Sequence, residues 1–321
     1  MEKKVIVAYL MSGGAKQPDL SLFSHINYAF VYVTDDGQMV VHNPEELSHL
    51  ADLRDQSDCK LLVSLQQRGR TAFCTRSKTA EGRARIGQQC KELVDTYRLD
   101  GIDVDWEYPG INLMTGEDNC ETCREDFIAL LSAIRAAIGP DKLLTIACGA
   151  TPDTQRHTDF VRAAQILDRI NIMGYDYNWN KFGKAHHSNL YPSSVGIGNH
   201  EICGDACVKM MLDLGIPAEK LVLGLPLYGY QSGKGSEGFL RYGEITDLAK
   251  QPGYAIEFDE AAQQSYLTKD GEMIVAFDDP KTIAIKADYI KKMNLGGMMY
   301  WQYALDDAEN TLKKAAAEAM W

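Results

Sequence analysis

Residues 99–109 read Leu99-Asp100-Gly101-Ile102-Asp103-Val104-Asp105-Trp106-Glu107-Tyr108-Pro109. Apolar and acidic residues alternate through this run, and on a β-strand successive side chains point to opposite faces. Asp103, Asp105 and Glu107 therefore share one face, and Ile102, Val104 and Trp106 share the other. The apolar face calls for a layer of helices against it. The acidic face carries carboxyls roughly 6–7 Å apart along the backbone. In a poorly solvated site they do not all ionise, so at least one keeps its proton at neutral pH. That is the physical requirement for a general acid, and Glu107, the outermost of the three, is the candidate.

Outward from this run, seven more apolar or β-branched stretches read as strands: residues 5–9, 25–31, 60–65, 143–148, 169–173, 221–227 and 296–301, with 101–106 as the fourth of eight. Helical periodicity separates many of them, at 81–98, 123–138, 159–167, 200–214, 281–292 and 306–320. Strands alternating with helices imply a parallel sheet with right-handed crossovers, and eight units are the number that closes a barrel. The expected fold is α/β, a (β/α)8 TIM barrel spanning residues 1–321. One interval is out of rhythm. Residues 253–258 and 273–277 read as antiparallel strands joined by the turn Lys269-Asp270-Gly271-Glu272, which places a small α+β insertion at 231–277, between the seventh strand and the seventh helix.

Composition excludes several function classes. With 33 basic against 45 acidic residues the formal charge is −12, and no Lys/Arg run forms a basic patch, which disfavours nucleic acid and anionic membranes as partners. No apolar stretch approaches the roughly 18 residues of a membrane span. Residues 1–9 pass straight into a strand, so neither a signal peptide nor an anchor is expected. The protein is then cytoplasmic if Met1 is the native start, and extracellular if a leader has been trimmed. Eight cysteines in 321 residues are too sparse for a disulfide scaffold, and Cys59 and Cys148 sit where a thiol acts as a small hydrophobe. Two pairs stand apart, Cys120-x-x-Cys123 and Cys203-x-x-x-Cys207. A shared structural zinc, a disulfide among the four, and unlinked thiols are the three readings open to them.

The run 100–107 matches the DxxDxDxE signature of the family-eighteen glycoside hydrolases, and Tyr108-Pro109 after it resembles the chitinase form. Further segments are similar to that family. Ile26-Asn27-Tyr28-Ala29-Phe30 resembles its second strand, Met173-Gly174-Tyr175-Asp176 its MxYD motif, and Gly224-Leu225-Pro226-Leu227-Tyr228-Gly229 its seventh strand. Gly296-Gly297-Met298-Met299-Tyr300-Trp301 resembles the eighth.

The resemblance implies a retaining hydrolysis of β-1,4-linked N-acetylglucosamine, in chitin or chito-oligosaccharides, with the substrate's own N-acetyl group as nucleophile. Glu107 is then acid and base, Asp105 holds the acetamido N–H, Asp103 stands behind Asp105, and Tyr175 bonds the acetamido carbonyl. Met173, Asp176 and Trp301 are implied sugar contacts, with Trp301 as the aromatic floor. Tyr9, Phe30, Tyr228 and Trp179 are candidate cleft residues at strand ends or on the rim.

No cofactor and no metal ligand set is implied, the paired His186 and His187 reading as surface polar groups. A monomer is expected, with soluble oligomers preferred over crystalline chitin. The alternatives are an endo-β-N-acetylglucosaminidase acting on N-glycans and a chitin-binding lectin without turnover. Two departures stand out: Ser64-Leu65-Gln66-Gln67 carries glutamines where the family has glycines, predicting a different loop beside the site, and Tyr230 stands where the family often has Arg.

Overall fold

The computed structural model describes residues 4–14, 17–68, 71–110, 120–152, 157–178, 181 and 183–321. Eight parallel strands close on themselves: β1 (Val5–Met11), β2 (His25–Val33), β4 (Lys60–Gln67), β5 (Gly101–Asp105), β6 (Leu143–Gly149), β7 (Arg169–Met173), β8 (Leu221–Pro226) and β14 (Gly297–Trp301). Closure comes from β1, which pairs in parallel with both β2 and β14. A short strand, β3 (Met39–Val41), runs antiparallel along β2. All eight strands expected from the sequence are present, and the fold is the (β/α)8 barrel.

The strand β5 ends at Asp105, two residues before Glu107, so Glu107 stands beyond the ladder and not on its alternation. Ile102 and Val104 face outward and are fully buried, and Trp106 packs its indole between Phe73 (centroids 5.4 Å apart) and Phe127 (5.3 Å). Those rings belong to helices α2 (Ala72–Ser77) and α4 (Cys123–Ile138), with α3 (Ala80–Thr96) beside α4. Apolar residues thus form two cores. One lies between strands and helices; the other fills the barrel with Val5, Val7, Tyr9, Ala29, Phe30, Ala147, Val222 and Met299.

Helix α1 (Pro44–Arg54) is absent from the sequence reading because only Leu47, Leu50 and Ala51 are buried on it. Its start was nonetheless written locally: Asn43 caps it, accepting from the Glu46 N–H at 3.2 Å, with Pro44 at the first position. Helices α5 (Phe160–Ile166), α6 (Gly204–Asp213), α8 (Pro280–Lys292) and α9 (Thr311–Met320) fall within or close to their expected spans.

Between β8 and α8 lies a five-stranded antiparallel sheet in the order β10-β9-β13-β12-β11, with helix α7 (Tyr242–Ala249) against it. Its strands are β9 (Tyr228–Gln231), β10 (Phe239–Arg241), β11 (Tyr254–Asp259), β12 (Gln264–Lys269) and β13 (Glu272–Ala276). The turn at Asp270-Gly271 therefore joins β12 to β13. The two strands expected to flank it, β11 and β13, do not pair, because β12 intervenes.

A buried ion pair fastens this sheet to the barrel. Asp278 accepts from Lys286 Nζ of α8 at 2.6 Å, from Gln264 Nε2 of β12 at 2.8 Å and from Ser188 Oγ of the β7–α6 loop at 2.7 Å. Removing one partner of such a pair strands the other charge. Lys286→Met is expected to destabilise the protein by about 3–5 kcal/mol, and the double variant with Asp278→Asn to recover part of that. Chemical denaturation of the three proteins checks this; equal stability of Lys286→Met and wild type would remove the pair from the account.

Candidate active site

Strand register decides which side chains meet the acidic residues of β5. Ser64 on β4 and Thr145 on β6 are the cross-strand neighbours of Asp103. Both hydroxyls donate to its carboxylate, Ser64 Oγ at 2.7 Å. From across the barrel Tyr9 Oη donates at 2.8 Å and Asn171 Nδ2 at 3.2 Å. Asp103 is fully buried, and burial raises its pKa even though all four donors pull it down.

One layer higher, Asp105 lies in register with Gln66 and Ala147. Its only hydrogen bond among the described residues is from Gln66 Nε2 at 3.3 Å, and its Oδ1 is buried with no partner. Burial, then the charges of Glu107 and Asp103, push the Asp105 pKa far above the carboxylate range. Burial likewise raises the Glu107 pKa, with Asp176 adding to it and a hydrogen bond from Tyr108 opposing it. Of the three acids, Asp103 has the donors to carry charge, whereas Asp105 and Glu107 are the ones short of solvation.

Above them opens a pocket lined by Tyr9, Phe30, Gln66, Asp105, Glu107, Ala147, Met173, Tyr175, Asp176 and Trp301. All ten of these residues come from barrel strands or from positions just past their C-terminal ends. Trp301, partly exposed, is held by Phe30, stacked at 5.6 Å, and by Tyr9 at 5.7 Å. Tyr175 Oη points to Met299 Sδ at 3.8 Å, and its phenol is kept neutral by burial beside Asp176 and Asp105. Asp176 takes a left-handed backbone (φ 61°), tolerated best by Asp, Asn and Gly, and is fixed by Tyr228 Oη at 2.7 Å and His187 Nδ1 at 3.3 Å.

The structure brings eight of the sequence candidates to one pocket wall: Glu107, Asp105, Tyr175, Asp176, Trp301, Met173, Tyr9 and Phe30. Asp103 lies beneath it. Tyr228 stands behind Asp176, buried against Phe239 at 4.8 Å and away from the rim where it was expected. Trp179 lies outside the described residues. β4 continues through Gln67, and Gln66 becomes a donor to Asp105; the loop expected to differ runs on into residues 69–70, which lie outside the described residues. Tyr230 packs its ring on Tyr228 and His187.

The paired histidines are not surface groups. Both are 2% exposed, His187 on Asp176 and His186 on Asp259 at 3.3 Å, and burial holds the His186 pKa down to about 4. Ser64, Thr145, Asn171, Gln66 and His187 were missed, since hydroxyls, amides and a histidine gain significance only from what register places beside them.

A family model, glycosyl hydrolases family 18, matches residues 5–306. Chitinase A1 of Niallia circulans is 30% identical over an alignment of 282 positions, gaps included, that covers 77% of this chain and 40% of that protein. Chitotriosidase-1 of Mus musculus is 30% identical over an alignment of 330 positions, gaps included, that covers 90% of this chain and 68% of that one. A family 18 N-acetylglucosaminidase from Paenibacillus barengoltzii superposes with a TM-score of 0.86 at 28% identity, covering 98% of this chain and 99% of its own. The chain spans 40% to 59% of the length of the first three curated relatives. This chain belongs to glycosyl hydrolases family 18.

Thr145→Val removes one donor from Asp103 at nearly constant volume. Hydrogen bonds to charged groups contribute about 1.5–3 kcal/mol, and this is the expected loss. The lost donor favours the ionised carboxyl, so the folded-state pKa of Asp103 rises further and stability is withdrawn as pH rises through it. Thermal melts of variant and wild type should diverge more at pH 8 than at pH 4; a gap that narrows with rising pH would contradict a charged Asp103.

Proposed function

We propose that this chain hydrolyses β-1,4-linked N-acetylglucosamine in chito-oligosaccharides, retaining configuration, with the substrate acetamide as nucleophile and the barrel with its 231–277 insertion acting as one monomeric catalytic unit. The observation that carries the reading is the stack of acids beneath the pocket, satisfied at Asp103 and unsatisfied at Asp105 Oδ1. An acceptor oxygen buried without a donor costs free energy, and an acetamido N–H entering the pocket relieves that cost.

Each proposed role follows from local chemistry. Glu107, its pKa raised by burial, keeps its proton to higher pH than an ordinary Glu and gives it to the glycosidic oxygen as the bond to the anomeric carbon breaks. The acetamido oxygen attacks that carbon, and Asp105 Oδ1, an acceptor left without a donor, takes the acetamido N–H as positive charge spreads over the bicyclic intermediate. Tyr175, neutral, donates to the acetamido oxygen. Glu107, now a carboxylate, takes a proton from the water that opens the ring, which restores the acid. Trp301 offers an apolar face to the sugar's C–H face, and Met173, Tyr9, Phe30 and Asp176 complete the wall. Family membership and relatives named chitinases support this reading.

The structural similarity to an enzyme called an N-acetylglucosaminidase keeps a second reading in play, cleavage of single N-acetylglucosamine units or of another glycan containing them.

Aryl glycosides of one, two and three N-acetylglucosamine units separate these. Glu107→Gln is expected to lower kcat by about 10²–10⁴-fold, the usual weight of a general acid. Because the proton must be present for catalysis and its pKa is raised, the alkaline limb of wild-type kcat/KM is expected above the ordinary Glu range near 4.5. Fastest cleavage of the monosaccharide glycoside supports the second reading. Chitotriose binding without turnover would overturn the hydrolase proposal in favour of a lectin.

A further inference from the structure

Three sulfurs converge beside the acidic strand and outside the pocket. Cys74 lies in α2, which follows β4; Cys120 and Cys123 lie at the start of α4, which follows β5. Their Sγ atoms all fall within 4.8 Å of one another, with Cys123 Sγ 3.2 Å from Cys74 Sγ. In the structure Cys120 and Cys123 are joined as a disulfide. Cys203 and Cys207, the other pair singled out in the sequence, take no part: Cys207 Sγ turns to the Ala150 carbonyl.

A disulfide uses two of the sulfurs, and the third, Cys74 Sγ, rests against Cys123 Sγ without a covalent bond to either. A tetrahedral zinc with Zn–S distances of about 2.3 Å places its thiolates about 3.8 Å apart, a separation that three sulfurs mutually within 4.8 Å reach by small side-chain rotations. The ligand pattern is also that of a structural site: a C-x-x-C pair from one segment and a cysteine from a neighbouring one. A histidine stands alongside. The position that a Cβ on Gly110 would take is 2.9 Å from His157 Nδ1, 3.2 Å from the Cys120 carbonyl oxygen and 3.7 Å from Cys123 Cβ.

We propose that, once a small-molecule dithiol or thiol reductant has supplied the two electrons and two protons that open Cys120–Cys123 and has itself left as a disulfide, the chain binds one zinc ion through Cys74, Cys120 and Cys123, with His157 as fourth ligand. Each thiol then releases its proton to solvent as its sulfur bonds the metal, and no electrons are transferred in that step. The ion ties α2 to α4, and so braces the ends of the two strands that carry Gln66 and Asp105. Its donor set is soft, which selects zinc over calcium or magnesium. The site is separate from the proposed hydrolysis and does not depend on it.

The test uses the full chain purified under reducing, metal-replete conditions. Elemental analysis should give one zinc per chain, and Cys74→Ser should drop it below about a tenth, while Cys203→Ser keeps it. Cobalt in place of zinc should show sulfur-to-metal charge transfer in the near ultraviolet, and His157→Ala should shift its visible bands and weaken metal retention at least tenfold. A strong chelator should lower the melting temperature of wild type but not that of Cys74→Ser. Substoichiometric zinc that Cys74→Ser leaves unchanged, or a Cys120–Cys123 disulfide found by peptide mapping in metal-replete protein, would overturn the site. Unchanged cobalt bands in His157→Ala would overturn the histidine's part in it.

Discussion

Everything in the pocket rests on one electrostatic constraint: a strand carrying acids on one face has been closed inside a barrel, where carboxylates are expensive. The structure meets the cost unevenly. Asp103 receives donors from four strands, Tyr9 on β1, Ser64 on β4, Thr145 on β6 and Asn171 on β7. Asp105, two residues on, receives one, and Glu107 sits past the end of the ladder. The stack thus grades from satisfied to unsatisfied as it approaches the pocket. Burial raises all three pKa values, and hydrogen-bond donors oppose it most at Asp103. A polar network built this way is fully donated at its base and under-donated at its top.

The opposite wall is held by a different device. Asp176 sits in left-handed backbone at the end of β7, and Tyr228 and His187 reach it from the β9 region and the β7–α6 loop. That loop is itself locked to the antiparallel sheet, through His186 and Ser193 on Asp259 and through Ser188 on Asp278. The inserted sheet therefore does more than deepen one side of the molecule. It fixes Asp176 on the pocket wall, directly through Tyr228 of β9 and, less directly, through the loop that carries His187. Sheet, loop and pocket wall are one hydrogen-bonded assembly, with buried charges paired or capped at each junction.

Much of this was readable from the chain alone, and the reason is locality. Period-two alternation in 100–107 set the strand, its two faces and the three acids, and the recurrence of apolar runs set the count of eight. Helix spans came from apolar periodicity, and the structure shows their starts fixed by caps of a few residues, as at Asp279-Pro280. Where several local signals agreed, the position held; where a pattern was short or interrupted, as in β12 and α1, it did not.

What the sequence by itself determined is therefore which residues lie on which face of which element, because face and period are properties of a few consecutive residues. Tertiary structure alone decided who meets whom. Ser64 and Thr145 reach Asp103 through strand register, and Tyr9 and Asn171 reach it only because the sheet closes. His186 and His187, which read as solvent-facing, are buried because the inserted sheet packs a carboxylate on one and the pocket wall on the other. Cys74 joins Cys120 and Cys123 from 46 and 49 residues away, whereas Cys203 and Cys207 do not, since α2 and α4 follow adjacent strands of the barrel. Neighbourhood around a closed sheet is a global property, and no local run of residues encodes it.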